Sequence, residues 1–301
     1  MIGNLSLDHL RVLVAIDDTG SFSAAGRQLR RVQSAISHAV QSLEDSQGLQ
    51  LFDRSAHKPQ FTPAGRVLVA QARQVLRQAE VFERTAQAMA AGLEPELTVA
   101  LDSFVPTQGV IQCLAHLQNR HPDLPVTLFT EGLGAAERRV REGSATLGLC
   151  ALLPSTAQAL QAWPITQIHL VPVVAPQHPL AQEQRSITRD VLAEHVQLIM
   201  TDPLQRGGPS FSVVSPRVWR FVDMARRLEF LLAGFGWCTM PLHWVEGHLQ
   251  RGELHRLPVD DPGVLPGAVG VFAIHDRQRP LGQGARGLLQ DLQAHAWPTP
   301  H

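Results

Sequence analysis

"RRVQSAISHAVQSLE", residues 30–44, sets two arginines ahead of a stretch with helical periodicity, and the outer face of that helix decides what kind of protein this is. Ile36, Val40 and Leu43 recur at helical spacing with Ala35 and Ala39 beside them, forming one apolar stripe of a 3.6-residue period. The opposite face carries Gln33, Ser34, Ser37, His38 and Gln41, with no carboxylate before Glu44. A solvated helix mixes charges of both signs and favours acids near its N-terminus. Neutral donors and acceptors behind a positive entrance suit a negatively charged partner that presents hydrogen-bonding edges. A solvated helix that happens to be poor in acids is the competing reading.

Working outward, residues 6–16 (SLDHLRVLVAI) read as a first helix with Ser6 as N-cap and Leu10, Leu13 and Val14 at helical spacing. Thr19-Gly20 makes a turn, Ser21 caps a second helix through FSAAGRQL, and RRV separates it from the helix of the opening stretch. Two short helices joined tightly, the second polar on its outer face, have the shape of a helix-turn-helix. After Gly48, LQLFDRS and QFT flank AHKP and predict a hairpin wing bearing Arg54 and Lys58. Thr62-Pro63 then opens a long helix, with Thr at the cap and Pro at the first helical position. Its Leu68, Ala72, Val75, Ala79, Phe82, Ala86 and Met89 alternate spacings of four and three. That repeat fits a long core helix, or a helix pairing with a second copy of itself, and the charged flanks Arg73, Arg77, Glu80, Glu83 and Arg84 favour pairing. Such a dimer would present two recognition helices to half-sites about one DNA turn apart.

Residues 5–92 resemble the N-terminal part of a LysR-type transcriptional regulator. The resemblance is carried by Phe22 and Ala25 in "GSFSAAGRQL", Gln33, Ala35 and Ser37 in "VQSAISHAVQSLE", Leu51-Phe52 and Arg54 in "GLQLFDR", and Thr62 with Gly65 in "TPAG". The chain departs from the pattern at Gly26, where another Ala is usual, at Val32, where a capping Ser or Thr is common, and at His38 and Gln47. The resemblance implies double-stranded DNA as partner. Gln33 is then expected on an adenine edge in the major groove, Ser34, Ser37, His38 and Gln41 on bases or phosphates, and Arg30, Arg31, Arg54 and Lys58 on the backbone.

Beyond Gly92, "AGLEPE" reads as a hinge, and short apolar runs then alternate with helical segments. ELTVAL (96–101), VTLFT (126–130) and ATLGLCALL (145–153) interleave with helices over 104–120 and around 135–142. HLVPVVAP (169–176), VQLIM (196–200) and WCTM (237–240) follow, with helices near 188–194 and 217–232; VGVFAI (269–274) and a helix from about 281 complete the series. This is the rhythm of an α/β chain with an open sheet covered by helices on both faces. The last strand most simply returns to the first set. That threading gives two lobes with crossings near 153–167 and 262–268, both containing proline.

"HPDLPVTL", "LVPVVAPQHPLA" and "LLAGFGWCTMPLHWVEGHLQRGEL" resemble the effector-binding portion of the same family, while Thr146 in "GSAT" stands where Asp is usual. The resemblance implies a two-lobed, periplasmic-binding-protein-like effector domain whose pocket would be lined here by Ser103, Thr130, Glu131, Thr201 and Asp202. Ser103 precedes a helix and offers a hydroxyl near free backbone N–H groups, a ready anion site; a plain N-cap or turn role for Ser103 and Asp202 is the alternative. The expected organisation is a winged helix-turn-helix domain over 1–62, a dimerisation helix over 63–92 and an effector domain over 93–301. Within the last, lobe I takes about 93–160 and 268–301, and lobe II about 161–267. A small-molecule effector of unknown identity and a homodimer are expected as partners, with a dimer of dimers implied by the resemblance.

Composition supports these readings by exclusion. With 301 residues, 44% hydrophobic and 18% charged, the chain can bury a sizeable core. No basic leader precedes a long apolar run, and the longest apolar stretches fall short of a membrane span, so the cytoplasm is the expected compartment. The net charge of −1 hides a local excess, since Arg27, Arg30, Arg31, Arg54, Lys58 and Arg66 outnumber Glu44, Asp45 and Asp53 between 27 and 66. Cys113, Cys150 and Cys238 are too dispersed for a disulfide framework or zinc finger and read as buried thiols. An enzyme is disfavoured: HExxH, GxSxG and GxxxxGK are absent, "GFGWCT" ends in Thr239 where a third glycine belongs, and His243, His248 and His255 lack the spacing of a ligand pair. No metal or cofactor is expected. A solute-binding protein without DNA function would explain residues 93–301 and leave the first third without a purpose.

Overall fold

The computed structural model describes residues 5–53, 60–132, 134–151, 160–183, 185–201, 213–261, 264 and 268–297. They form two compact units, Met1–Ala91 and Gly92–His301.

In the first unit, helices α1 (Leu7–Thr19), α2 (Phe22–Leu29) and α3 (Gln33–Gln47) precede the antiparallel hairpin β1 (Phe52–Asp53) and β2 (Gln60–Phe61), and α4 (Pro63–Ala90) follows. The side chains of Ser6, Ser21 and Thr62 accept the N–H of His9, Ala24 and Gly65, each cap worth about 1 kcal/mol. Leu10, Leu13 and Ile16 of α1, Ala25 of α2, and Ile36, Val40 and Leu43 of α3 bury one another with Leu51, Phe52, Val69 and Ala72. The stripe differs from the sequence reading at two places. Ala35 is exposed, because one residue from Ile36 is a rotation of about 100° around the helix. Glu44 is buried, because its Oε1 accepts the N–H of Leu51 at 2.7 Å and of Phe52 at 3.2 Å, tying α3 to the start of the hairpin.

The turn between α2 and α3 holds Arg30 at φ 54°, a left-handed conformation that no other non-glycine residue adopts among the described residues. Arg31 N–H donates to the Gly26 carbonyl at 2.7 Å. A Cβ on Gly26 would lie 2.8 Å from the Arg31 carbonyl oxygen, so the tight turn accounts for glycine where alanine is usual. On α4, Leu68 and Ala72 pack against α1, and Arg73 bridges to Asp17 at 2.6 Å and Asp18 at 2.5 Å. Farther along, Val75, Phe82 and Met89 are exposed, Phe82 by 75%.

The second unit runs β3 (Leu97–Asp102), α5 (Thr107–Arg120), β4 (Val126–Glu131), α6 (Ala135–Glu142), β5 (Leu147–Cys150), β6 (Leu160–Val174), a 3₁₀ turn (Pro179–Gln182), α7 (Arg189–Ala193), β7 (Gln197–Met200) and β8 (Val218–Phe221). It continues with α8 (Met224–Leu232), β9 (Trp237–Pro241), α9 (Leu242–Gln250), β10 (His255–Arg256), β11 (Ala268–Asp276) and α10 (Gln283–Ala294). The strands lie in the order β4-β3-β5-β11-β6-β9-β7-β8, with β10 against β6. β3 is parallel to β4 and β5, and β7 is parallel to β8 and β9, so two parallel sets flank the antiparallel pair β6–β11. Glu94 accepts the N–H of Gly284 at 2.9 Å and Ala285 at 2.6 Å, capping α10 from across the unit.

Two expectations are corrected, and one helix is added that the sequence reading did not name. The helix near 217–232 is a strand and a helix: Val218–Phe221 completes the sheet beside β7, and the Asp223 carboxylate, accepting Arg226 N–H at 2.7 Å, starts α8 only afterwards. Residues 242–250 form α9 despite Gly247. The first crossing, expected near 153–167, is in its described part a strand: β6 begins at Leu160, since residues 160–169 pair with β11. Between Val271 and Phe272 the register slips, leaving Ile165 unpaired beside Pro164, which has no N–H to give. Residues 152–159 and most of 262–268 lie outside the described residues.

Candidate functional site

Gln33, Ser34, Ser37, His38 and Gln41 are all exposed on one side of α3. Ile36, Val40 and Leu43 bury the other side, which turns the polar face outward. The helix has no acid in its first turn, and its N-cap Val32 supplies no side-chain bond, so orphan backbone donors open toward solvent. Gln41 is engaged, its Nε2 donating to Asp45 Oδ1 at 2.8 Å. Arg30 is exposed. Arg31, expected on the backbone of a duplex, donates from Nη1 to Asp8 Oδ2 at 2.6 Å, and that bond holds the Asp8 carboxyl below its ordinary range. Arg54 and Lys58 lie outside the described residues. Glu44, which fixes the wing root to α3, was not foreseen; a carboxylate ending the apolar stripe was the available signal.

In the second unit Ser103 follows β3 directly. Its N–H donates to the Glu131 carbonyl at 3.0 Å, its carbonyl accepts Trp244 Nε1 at 3.1 Å, and its buried Oγ has no partner. The N-cap of α5 is Pro106, so Ser103 does not cap that helix. Glu131 lies beside it. Its carboxylate is paired with Arg139, whose guanidinium also sits 3.9 Å from the centre of the Phe129 ring. Thr130 faces away: alternation along β4 puts it with exposed Val126 and Leu128, opposite Glu131. A Cβ on Gly132 would lie 3.3 Å from the carbonyl oxygens of both Thr201 and Val222, so the ends of β4, β7 and β8 converge. Ser103, Glu131 and Thr201 thus share one neighbourhood, Thr130 is turned from it, and Asp202 lies outside the described residues.

Asp102 and Trp244 belong to this neighbourhood and were not foreseen. The Asp102 carboxyl is buried and accepts Phe104 N–H at 3.0 Å, which shapes the turn presenting Ser103. Burial pushes its pKa up to about 6, while the N–H groups of Phe104 and Ala151 pull the other way. "LDSF" carries an Asx-turn signal that could have identified it; no local signal marks Trp244. Cys113, Cys150 and Cys238 are buried free thiols, each with its pKa raised first by burial. Among the described residues no group of three or more His, Cys, Asp or Glu could hold a metal ion, and no helix is long and apolar enough to cross a membrane.

Comparison with known proteins bears on both units. A family model described as "Bacterial regulatory helix-turn-helix protein, lysR family" matches residues 7–66, and one described as "LysR substrate binding domain" matches residues 90–297. The chain is 32% identical over 255 residues to the probable HTH-type transcriptional regulator YhaJ of Escherichia coli strain K12, covering 83% of this chain and 85% of that one. It is 28% identical over 292 residues to the HTH-type transcriptional regulator AceR of Acinetobacter baumannii, covering 96% and 97%. Among solved structures, the C206 mutant of Corynebacterium glutamicum OxyR is similar in fold, with a TM-score of 0.57 at 22% identity over 96% of this chain and 92% of that one.

Proposed function

This chain belongs to the LysR family of bacterial DNA-binding transcriptional regulators, which join a helix-turn-helix to an effector-binding domain, and from that premise we propose how its own residues divide the work. Residues 1–62 hold the DNA-binding domain, 63–92 the dimerisation helix and 93–301 the effector domain. In the major groove Gln33 pairs with an adenine edge, while Ser34, Ser37, His38 and Gln41 meet neighbouring bases or phosphates. Arg30 and Arg31, with Arg54 and Lys58 of the wing segment, hold the backbone. The observation that carries this reading is the exposed, acid-free face at the start of α3.

The exposed Val75, Phe82 and Met89 of α4 form the seam between two copies, and dimers pair again into a tetramer. Ser103 and Thr201, one from each parallel strand set, line an effector site where those sets meet, with lobe I as 93–160 and 268–301 and lobe II as 161–267. We place the protein's work in the cytoplasm with its DNA, and in binding rather than turnover, as the similar transcriptional regulators suggest.

Gln33→Ala should lose about 1–3 kcal/mol of discrimination at a single base pair, read by sequencing duplexes selected from a randomised pool. An unchanged preference would remove Gln33 from base readout.

A further inference from the structure

Asp8 sits in the first turn of α1 and Arg31 in the turn between α2 and α3, yet Arg31 Nη1 lies 2.6 Å from Asp8 Oδ2. The pair crosses the helix-turn-helix beside the N-terminus of α3, the end that carries Gln33 and Ser34. Arg30, next to it, has no ion-pair partner among the described residues. Arg31 and Asp8 keep 42% and 44% of their side-chain surface exposed. Water and salt screen such a pair, which favours contact over separation by only about two- to fivefold. The Asp8 charge is also supported on its own helix by the positive N-terminal end of α1 and by His9 and Arg11 nearby.

We propose that Asp8 is an intramolecular stand-in for a DNA phosphate: its carboxylate occupies the Arg31 guanidinium in the free protein, and a duplex gains that contact only by displacing it. The inference rests on the reading of α3 as the DNA-facing helix. Carboxylate and phosphate offer an arginine the same paired oxygens, so one replaces the other without rebuilding the turn. Displacement leaves Asp8 unpaired close to a polyanion. The penalty is the same for every sequence, because phosphates carry no base identity. Asp8 therefore lowers affinity for DNA at large and leaves the ratio between sequences to the base-edge contacts, which makes it a residue that sets how tightly, not where, the protein binds.

The test uses the full chain and a mixed-sequence duplex of fixed length, with dissociation constants measured across a potassium chloride series. Asp8→Asn keeps the side-chain size and removes the charge. It should bind about two- to fivefold more tightly at low salt, and the gain should shrink as salt rises, because the ion pair and the repulsion that it removes are both screened. In an Arg31→Ala background the same substitution should give a clearly smaller gain, the repulsion alone, and Asp8→Ser should repeat the pattern. An unchanged constant for Asp8→Asn across the salt series would overturn the proposal. So would an equal gain without Arg31, since Asp8 would then act only as a repelling charge. Failure of the underlying reading has a separate signature: Ser34→Glu, a charge placed on α3 itself, would bind the duplex at parental strength.

Discussion

At the scale of single residues, the turn that presents Ser103 depends on a carboxyl held out of water. Burial raises the Asp102 pKa to about 6 from an ordinary 3.8, so between those values the folded chain binds this proton more tightly than the unfolded chain. The stability it confers is complete below about pH 4 and is lost as pH rises through 6. Asp102→Asn should flatten that part of the stability profile and recover about 1–3 kcal/mol at pH 7, measured by urea unfolding from pH 4 to 7.5. An unaltered profile would mean that another group titrates there. Sequence made the outer residues of α3 legible, because periodicity alone assigns a helix its faces. It did not show that Arg31 is paired with Asp8, or that Trp244 reaches the carbonyl of Ser103. Those facts depend on which backbone donors and charges arrive from elsewhere in the fold, and no local pattern carries that information.

Among elements, α4 divides its apolar repeat between two tasks. Its first turns bury Val69 and Ala72 against α1, while Val75, Phe82 and Met89 remain exposed among the described residues. Phe82→Asp leaves the core of the first unit alone and places a charge at each copy of the seam. Self-association should weaken by about 3 kcal/mol or more, with a smaller species in sedimentation velocity and weaker binding to a two-half-site duplex. A parental sedimentation profile would move the seam elsewhere. The helix was legible because its repeat runs over many turns between a Thr-Pro start and a glycine. The stretch 217–232 was not: Val218, Phe221 and the apolar residues of α8 can be fitted to one helical stripe, and only the open edge of β7 makes the first four a strand. Residues 242–250 posed the reverse problem, a helix whose Gly247 reads locally as a break.

At the scale of the whole molecule, most of the alternation of strands and helices in the second unit was readable from apolar runs, and the return of β11 to the first set, beside β5, was implied by its position last in the chain; its antiparallel pairing with β6 was not. If Ser103 is the point where an effector is held, Ser103→Ala should leave affinity for operator DNA without effector within about twofold. Metabolites that raise the parent's melting temperature should then bind the variant about tenfold more weakly, the worth of one hydrogen bond. Parental binding of every such compound would place the effector elsewhere. The long strand β6 has a mechanical consequence. One run of backbone from Leu160 to Val174 links the two parallel sets, laced to β11 along its first ten residues and to β9 along its last five, so the sets have no slack joint between them on this side. Any rotation of one against the other has to twist a two-stranded ribbon, softest where Ile165 drops out of the ladder. Such a ribbon behaves as a torsion spring. An effector that held the sets in a new arrangement would have to work against it, and release would let the ribbon return the sets to the arrangement seen here.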